Sequence, residues 1–129
     1  MQNFGVHRVL EPTYSIPVSA WKLDNCRNIS ENEMRIRIKR IKLEEASFQQ
    51  ICNECDFNEE KIKLKVLDII KKRGKLHNPA TDSGGILYGI VDEIGVQYGK
   101  NHQLAVNDEV IGITTLRALP IHLDEIKKI

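Results

Sequence analysis

Nowhere is this chain apolar over anything near the ~18 residues that a membrane-spanning helix needs. It also lacks an excess of one charge, with 19 Lys and Arg against 18 Asp and Glu. The first absence excludes a helical span. The second excludes whole-molecule attraction to nucleic acid or membrane, so any basic footprint has to be local. Aromatics make up only 5% of residues, with one tryptophan. Cysteine is limited to Cys26, Cys52 and Cys55. An odd number of cysteines behind an amino end with no basic segment and apolar core predicts reduced thiols and no secretory signal. A cytoplasmic location is the default expectation. Neither G-x-G-x-x-G nor G-x-x-x-x-G-K-[ST] occurs, which removes the self-contained, glycine-loop nucleotide site from consideration.

What remains is an ordinary soluble composition, 41% hydrophobic and 29% charged, in 129 residues, enough for one domain with a long arm. Residues 1–33 are irregular, with Pro12 and Pro17 among isolated apolar residues and a short strand expected around Val6, Val9 and Leu10. Phe4, Tyr14 and Trp21 are the side chains expected to hold this arm down, since each can bury a large apolar area. For Trp21 a packing anchor is the first reading and a substrate wall the second. From Glu33 to Leu43, Met34, Ile36 and Ile38 alternate with Arg35, Arg37 and Lys39. That is the period of a half-buried strand. No aromatics interleave with its basic stripe to stack on bases, so a solvated face is expected there.

Two helices follow. One is expected from a cap at Ser47 through Cys55, the other after Asn58, with Ile62, Val66, Ile69 and Ile70 on one face, Lys71, Lys72 and Arg73 in the last turn, and Gly74 as the stop. Residues 75–85 read as a polar loop. Ile86 to Ile94 reads as a strand, residues 96–107 as a polar connection containing His102, Asp108 to Leu116 as another strand, and the tail around Asp124 to Lys128 as the start of a helix. In the strand region Gly89 and Gly95 are read as places where neither a side chain nor a negative φ fits, and Gly84-Gly85 as a pair adopting conformations closed to other residues.

Cys52-Asn-Glu-Cys55 has the spacing of half a metal site or a redox pair. Cys26, His77 and His102 stand isolated, and the first cysteine falls inside a helical pattern, so buried helix-face thiols are expected instead. Of the four histidines, His77 stands out because it precedes the glycine-containing loop and titrates near neutrality. Loops held by a rigid frame are where functional side chains concentrate.

Gly89, Val91-Asp92-Glu93-Ile94-Gly95 and Asn107-Asp108-Glu109-Val110 resemble the GroES-like barrel of the medium-chain dehydrogenase/reductase superfamily, with Asn107 in place of a glycine. Residues 6–12, 20–25 and 77–85 (His-Asn-Pro-Ala-Thr-Asp-Ser-Gly-Gly) narrow the resemblance to the L-erythro-3,5-diaminohexanoate dehydrogenase family. The fold implied is α+β, mainly β: a partly open GroES-like barrel with a helical insertion at about residues 47–73 and an extended amino-terminal arm over residues 1–33.

The activity implied is NAD- or NADP-dependent oxidative deamination of 3,5-diaminohexanoate to 5-amino-3-oxohexanoate, in lysine fermentation. The Rossmann domain that binds the nucleotide would lie outside this chain. Catalytic zinc is not expected, because Gly85 and Ile86 stand where zinc-dependent relatives carry a His-Glu pair, and Glu44 near the place of a cysteine. From the resemblance we assign Asp82 to ammonium binding, Ser83 as its hydrogen-bonding neighbour and His77 as a proton shuttle. Arg8 is assigned to the substrate carboxylate, with Trp21 and Asn78 as further substrate-binding positions. Partners expected are the diamino acid, the separate nucleotide-binding domain and, through an exposed sheet edge, a second copy; nucleic acid and membrane are not. The alternative is a stand-alone binding or assembly module without catalysis.

Overall fold

The computed structural model describes residues 5–101 and 103–129. Phe4 and His102 lie outside them. The frame is a three-stranded antiparallel sheet in which β4 (Gly85–Ile94) lies between β3 (Met34–Leu43) and β5 (Glu109–Gly112). The alternation in β3 predicts a strand, yet it breaks at Lys39-Arg40, two consecutive exposed residues. Pairing explains the break. Ile38 faces Gly89 and Arg40 faces Tyr88, so Lys39 is an extra residue in a bulge. A bulge resets the face of every residue after it. Ile41 and Leu43 thereby join Ile36 and Ile38 against the core. Arg37 and Lys39 are exposed and Arg35 pairs with Asp92 and Glu93, the solvated face expected of the basic stripe.

A two-residue strand β2 (Lys22–Leu23) pairs with β1 (Val9–Glu11) in a separate small sheet, and a 3-10 turn, Val6–Arg8, precedes them. The two sheets do not close on each other among the described residues. The architecture is thus α+β, mainly sheet, and consistent with a partly open barrel. β5 is shorter than the predicted Asp108 to Leu116. After Gly112 the chain leaves the edge so that Leu116, fully buried in the 3-10 turn Leu116–Ala118, can join the core. The connection read as polar contains a short helix, α3 (Val96–Asn101), which starts with the Gln97 and Tyr98 amides donating to the Glu31 carbonyl. The tail forms no helix.

Between β3 and β4 lie α1 (Glu45–Glu54) and α2 (Glu59–Arg73). Ser47 does not cap α1; it lies within the first turn, fully buried, and is used elsewhere. Asn58 does cap α2, its Oδ1 accepting from the Lys61 amide at 3.0 Å, and Gly74 ends the helix at φ 68°. Ile62, Val66, Ile69 and Ile70 are all buried and meet Ile51, Cys52 and Leu87 in one core. Each such side chain contributes about 1.5–3 kcal/mol on leaving water. Cys52 and Cys55 are free, buried thiols in that core, and Cys26 is free and exposed.

The largest departure from expectation follows α2. Residues 75–85 were read as a polar loop, yet Lys75, Leu76, His77 and Asn78 are all buried, as are Arg73 and Gly74 before them. Polarity alone made the segment look solvated. It is buried because its polar groups find partners in the protein, as buried polar groups must. Gly74 is required here, since a Cβ would run into the Leu23 carbonyl and φ is left-handed. By contrast Gly84, Gly85, Gly89 and Gly95 are not in the left-handed region, so close neighbours rather than φ demand glycine there.

The arm is held differently from expectation as well. Tyr14 is fully exposed and Trp21 half-exposed. The clamps are polar instead. Arg8 is buried and spends all five donors on Glu33 Oε1 and Oε2 and on the carbonyls of Asp24, Cys26 and Asn28. Burial raises the Glu33 pKa, but the hydrogen bonds from Arg8 and the Ser30 amide, with the charge of Arg8, outweigh it and bring it down to about 2. Because the folded value lies below the usual 4.5, this stabilisation is fully present above pH 4.5 and is lost as pH falls toward 2. Glu33→Gln is therefore expected to flatten the acid limb of a urea-denaturation series run between pH 6 and pH 3; an unchanged limb would show that Glu33 does not carry it.

Candidate functional site

Asn78 and Ser83 close a loop tip: the Asn78 amide donates to the Ser83 carbonyl at 2.9 Å, and Asn78 Oδ1 accepts from the Ala80 amide at 3.0 Å. This is an Asx turn, the local conformation that an Asn before Pro favours. Asn78 Nδ2 also donates to Ser47 Oγ at 3.1 Å and Gln50 Oε1 at 2.9 Å, so the tip is bolted to α1. Asn78 is 2% exposed and its amide group is fully engaged. It holds the loop in place and offers no free group to a ligand.

Asp82, at the tip, adopts φ 50°, a left-handed conformation that Asp tolerates at a modest cost. Its carboxylate reaches back to His77, with Oδ1 2.6 Å from Nε2. The histidine side chain is 5% exposed and the aspartate 80%. The pair therefore presents its carboxylate to solvent and hides its imidazole. Burial pushes the His77 pKa below its ordinary value in spite of the Asp82 hydrogen bond, while the bond to His77 lowers that of Asp82. At neutral pH this is a neutral imidazole donating through Nε2–H to an ionised carboxylate. His77 Nδ1 is buried with no partner. The Nε2–H tautomer leaves only a lone pair uncompensated there, which costs less than an orphaned N–H.

Beneath the pair lie two buried cations. Arg73 donates to the carbonyls of His77 at 2.6 Å and Trp21 at 2.8 Å, and its guanidinium lies 4.0 Å from the Trp21 ring centre. Lys75 is 0% exposed, and its Nζ donates to the carbonyls of Pro17 at 2.9 Å and Arg117 at 2.8 Å, with Val18 at 3.5 Å. Burial, reinforced by Arg73 and Arg117, lowers the Lys75 pKa to about 8. Arg117, from the last 3-10 turn, donates Nη1–H to the Asp82 carbonyl at 3.0 Å and stands 3.7 Å from Oδ2. The arm is thus tied to the site by its own carbonyls on Arg73 and Lys75, where aromatic burial was expected.

His77 and Asp82 are brought together, a contact the sequence reading did not specify. Ser83 is buried, but its hydroxyl lies 2.5 Å from Thr81 Oγ1, so its bond goes to Thr81 and not to Asp82. Arg8 is committed to Glu33 and three carbonyls and has no donor left for a substrate carboxylate. Trp21 meets Arg73, which stacks on its ring and donates to its carbonyl. Lys75, Arg73 and Arg117 escaped the sequence reading. Arg73 fitted a helix-end basic cluster, and nothing marks a lone lysine in a polar stretch as buried.

A groove of about 600 Å³ lies elsewhere, floored by Ile36, Ile38 and Leu87 and rimmed by Arg8, Glu33 and Arg35. Of these, Arg8 pairs with Glu33, and Arg35 with Asp92 and Glu93. At Asp82, by contrast, the carboxylate is exposed and its Oδ2 accepts no hydrogen bond among the described residues. Among the described residues no three His, Cys, Asp or Glu side chains converge to hold a metal ion. Nor do the residues present fit a dinucleotide: Gly84 packs on Arg117 and Thr115, and Gly85 on the backbone of Lys42 and Leu43, where a phosphate cradle would open a helix.

Residues 7–129 match the family described as the L-erythro-3,5-diaminohexanoate dehydrogenase N-terminal domain. Enzymes named L-erythro-3,5-diaminohexanoate dehydrogenase from Acetoanaerobium sticklandii and Fusobacterium nucleatum are 39% and 38% identical to this chain over 124 residues. The match takes in 96% of this chain and 36% of each relative. The chain belongs to the L-erythro-3,5-diaminohexanoate dehydrogenase N-terminal domain family.

Proposed function

We propose that this chain is the substrate-side domain of an NAD- or NADP-dependent amine dehydrogenase that deaminates 3,5-diaminohexanoate to 5-amino-3-oxohexanoate, within lysine fermentation and in the cytoplasm. The observation that carries the proposal is the outward carboxylate of Asp82, backed by a buried neutral His77 at 2.6 Å. It sits on a domain whose relatives bear that dehydrogenase name. A nicotinamide held outside these residues would supply the hydride acceptor for the amine-bearing carbon, and water would hydrolyse the resulting imine with release of ammonia. Its Rossmann domain is assigned to a part of the protein outside these residues, and no catalytic zinc is assigned.

The substrate brings an ammonium, and Asp82 Oδ2 is the group that receives it, since Oδ1 is held by His77. Hydride departs from a carbon bearing a neutral amine, so the ammonium first loses a proton. That proton passes through Asp82: His77 Nε2 faces the carboxylate, and Nδ1 is enclosed. His77 is thus a positioning partner behind Asp82 rather than a shuttle open to the substrate. Ser83 and Asn78 set the loop.

The test is NAD(P)-linked oxidation of 3,5-diaminohexanoate by the complete protein beside the 129-residue chain. Turnover by the first and none by the second is expected. Turnover by the chain alone would show that the nucleotide site lies within it, and none by the complete protein would favour a binding module.

A further inference from the structure

We propose that Arg117 is the carboxylate receptor of this site, so that Asp82 and Arg117 together read an amino acid by its ammonium and its carboxylate. This rests on the reading of Asp82 as the ammonium ligand.

The charges of the cluster do not balance. Arg73, Lys75 and Arg117 surround one carboxylate, Asp82, and His77 is neutral. Arg73 and Lys75 are buried and spend their donors on backbone carbonyls. Arg117 differs from both. Its side chain is 32% exposed, and its one hydrogen bond to the loop tip uses a single Nη1 donor, at 3.0 Å to the Asp82 carbonyl. At 3.7 Å from Asp82 Oδ2 it is a neighbour of that carboxylate without a hydrogen bond to it. The rest of the planar fork remains for a second, bidentate partner, the geometry that suits a carboxylate.

The position of this arginine is built. Lys75 Nζ binds its carbonyl at 2.8 Å from below, and Thr115 Oγ1 accepts from its amide at 3.4 Å. Gly84 gives it room: a Cβ there would come within 2.9 Å of Arg117 Cγ and 3.0 Å of Arg117 N. Leu116, fully buried, anchors the turn in the core. An anion receptor and a cation receptor are thereby fixed side by side. A ligand with ammonium and carboxylate a few bonds apart would replace the loose Arg117–Asp82 ion pair with two tight ones.

The rival role for Arg117 is structural, a latch on the loop tip. Competitive inhibition of the complete dehydrogenase by 3-aminobutanoate and by butan-2-amine separates the two roles, since the second probe carries a methyl group in place of the carboxylate. Wild type should bind the acid more tightly than the amine. Arg117→Ala should weaken 3-aminobutanoate roughly 10- to 100-fold, the range for a charge-assisted hydrogen-bonded contact, and leave butan-2-amine within about threefold. Arg117→Lys should recover part of the loss.

Equal weakening of both inhibitors, or of neither, would overturn the proposal, as would a wild type that makes no distinction between them. Asp82→Asn with the same two probes tests the underlying reading separately: it should weaken both. If Asp82→Asn changes neither while Arg117→Ala discriminates, the ammonium assignment fails and the carboxylate receptor stands.

Discussion

Asp82→Asn in the complete protein is expected, on the proposed function, to lower kcat/KM for 3,5-diaminohexanoate by about 10²- to 10⁴-fold, the usual weight of a positioned proton-transfer group. The amide keeps the size of the side chain and an oxygen for the His77 N–H, so the loop should survive. What it loses, on the proposed function, is the charge that would hold an ammonium and the oxygen that would take its proton. His77→Ala should cost less, on the order of tenfold, because His77 acts by holding Oδ1. A thermal melt alongside the kinetics separates loss of chemistry from loss of fold. Wild-type turnover in both variants would remove Asp82 from the mechanism.

Lys75→Ala should produce the largest loss of stability, roughly 3–5 kcal/mol in urea denaturation at pH 7. Two causes combine: a cavity where a wholly buried side chain stood, and carbonyls of Pro17 and Arg117 left without their donor. Lys75→Met fills most of the space and should lose less. The pH dependence has a definite sign. The folded pKa of about 8 lies below the unfolded 10.5, so between those values the unfolded chain binds more protons and stability rises with pH. Lys75→Met should lack that rise. If Lys75→Ala melts like wild type, the segment after α2 is not the hub of the arm, the site and the last turn.

That segment also marks the boundary of what the sequence discloses. Periodicity identified α2 and its buried face, Asn58 and Gly74 delimited it, and the alternation of β3 was legible up to Lys39. A bulge has no period, so the return of Ile41 and Leu43 to the core could not be read. Residues 73–78 misled for a physical reason. Burial of Arg, Lys, His and Asn depends on whether partners from elsewhere in the chain arrive, and for Arg73 and Lys75 those are backbone carbonyls, most of them in the arm, which have no residue identity. The same reason hid Arg117 and made Arg8 look available. Its fork suited a carboxylate, but the carboxylate it found was Glu33. His77 and Asp82 were legible through the family resemblance; their geometry, carboxylate outward and imidazole inward, came only with the fold.

Long-range ¹H–¹⁵N NMR of the imidazoles in the complete protein, with and without 3,5-diaminohexanoate at neutral pH, tests this arrangement most directly. A neutral ring is expected, assigned to His77 by its absence in His77→Ala, with its proton on Nε2 and an Nε2 shift that moves when the diamino acid binds. A proton on Nδ1, a doubly protonated ring at neutral pH, or an Nε2 signal indifferent to the substrate would contradict it.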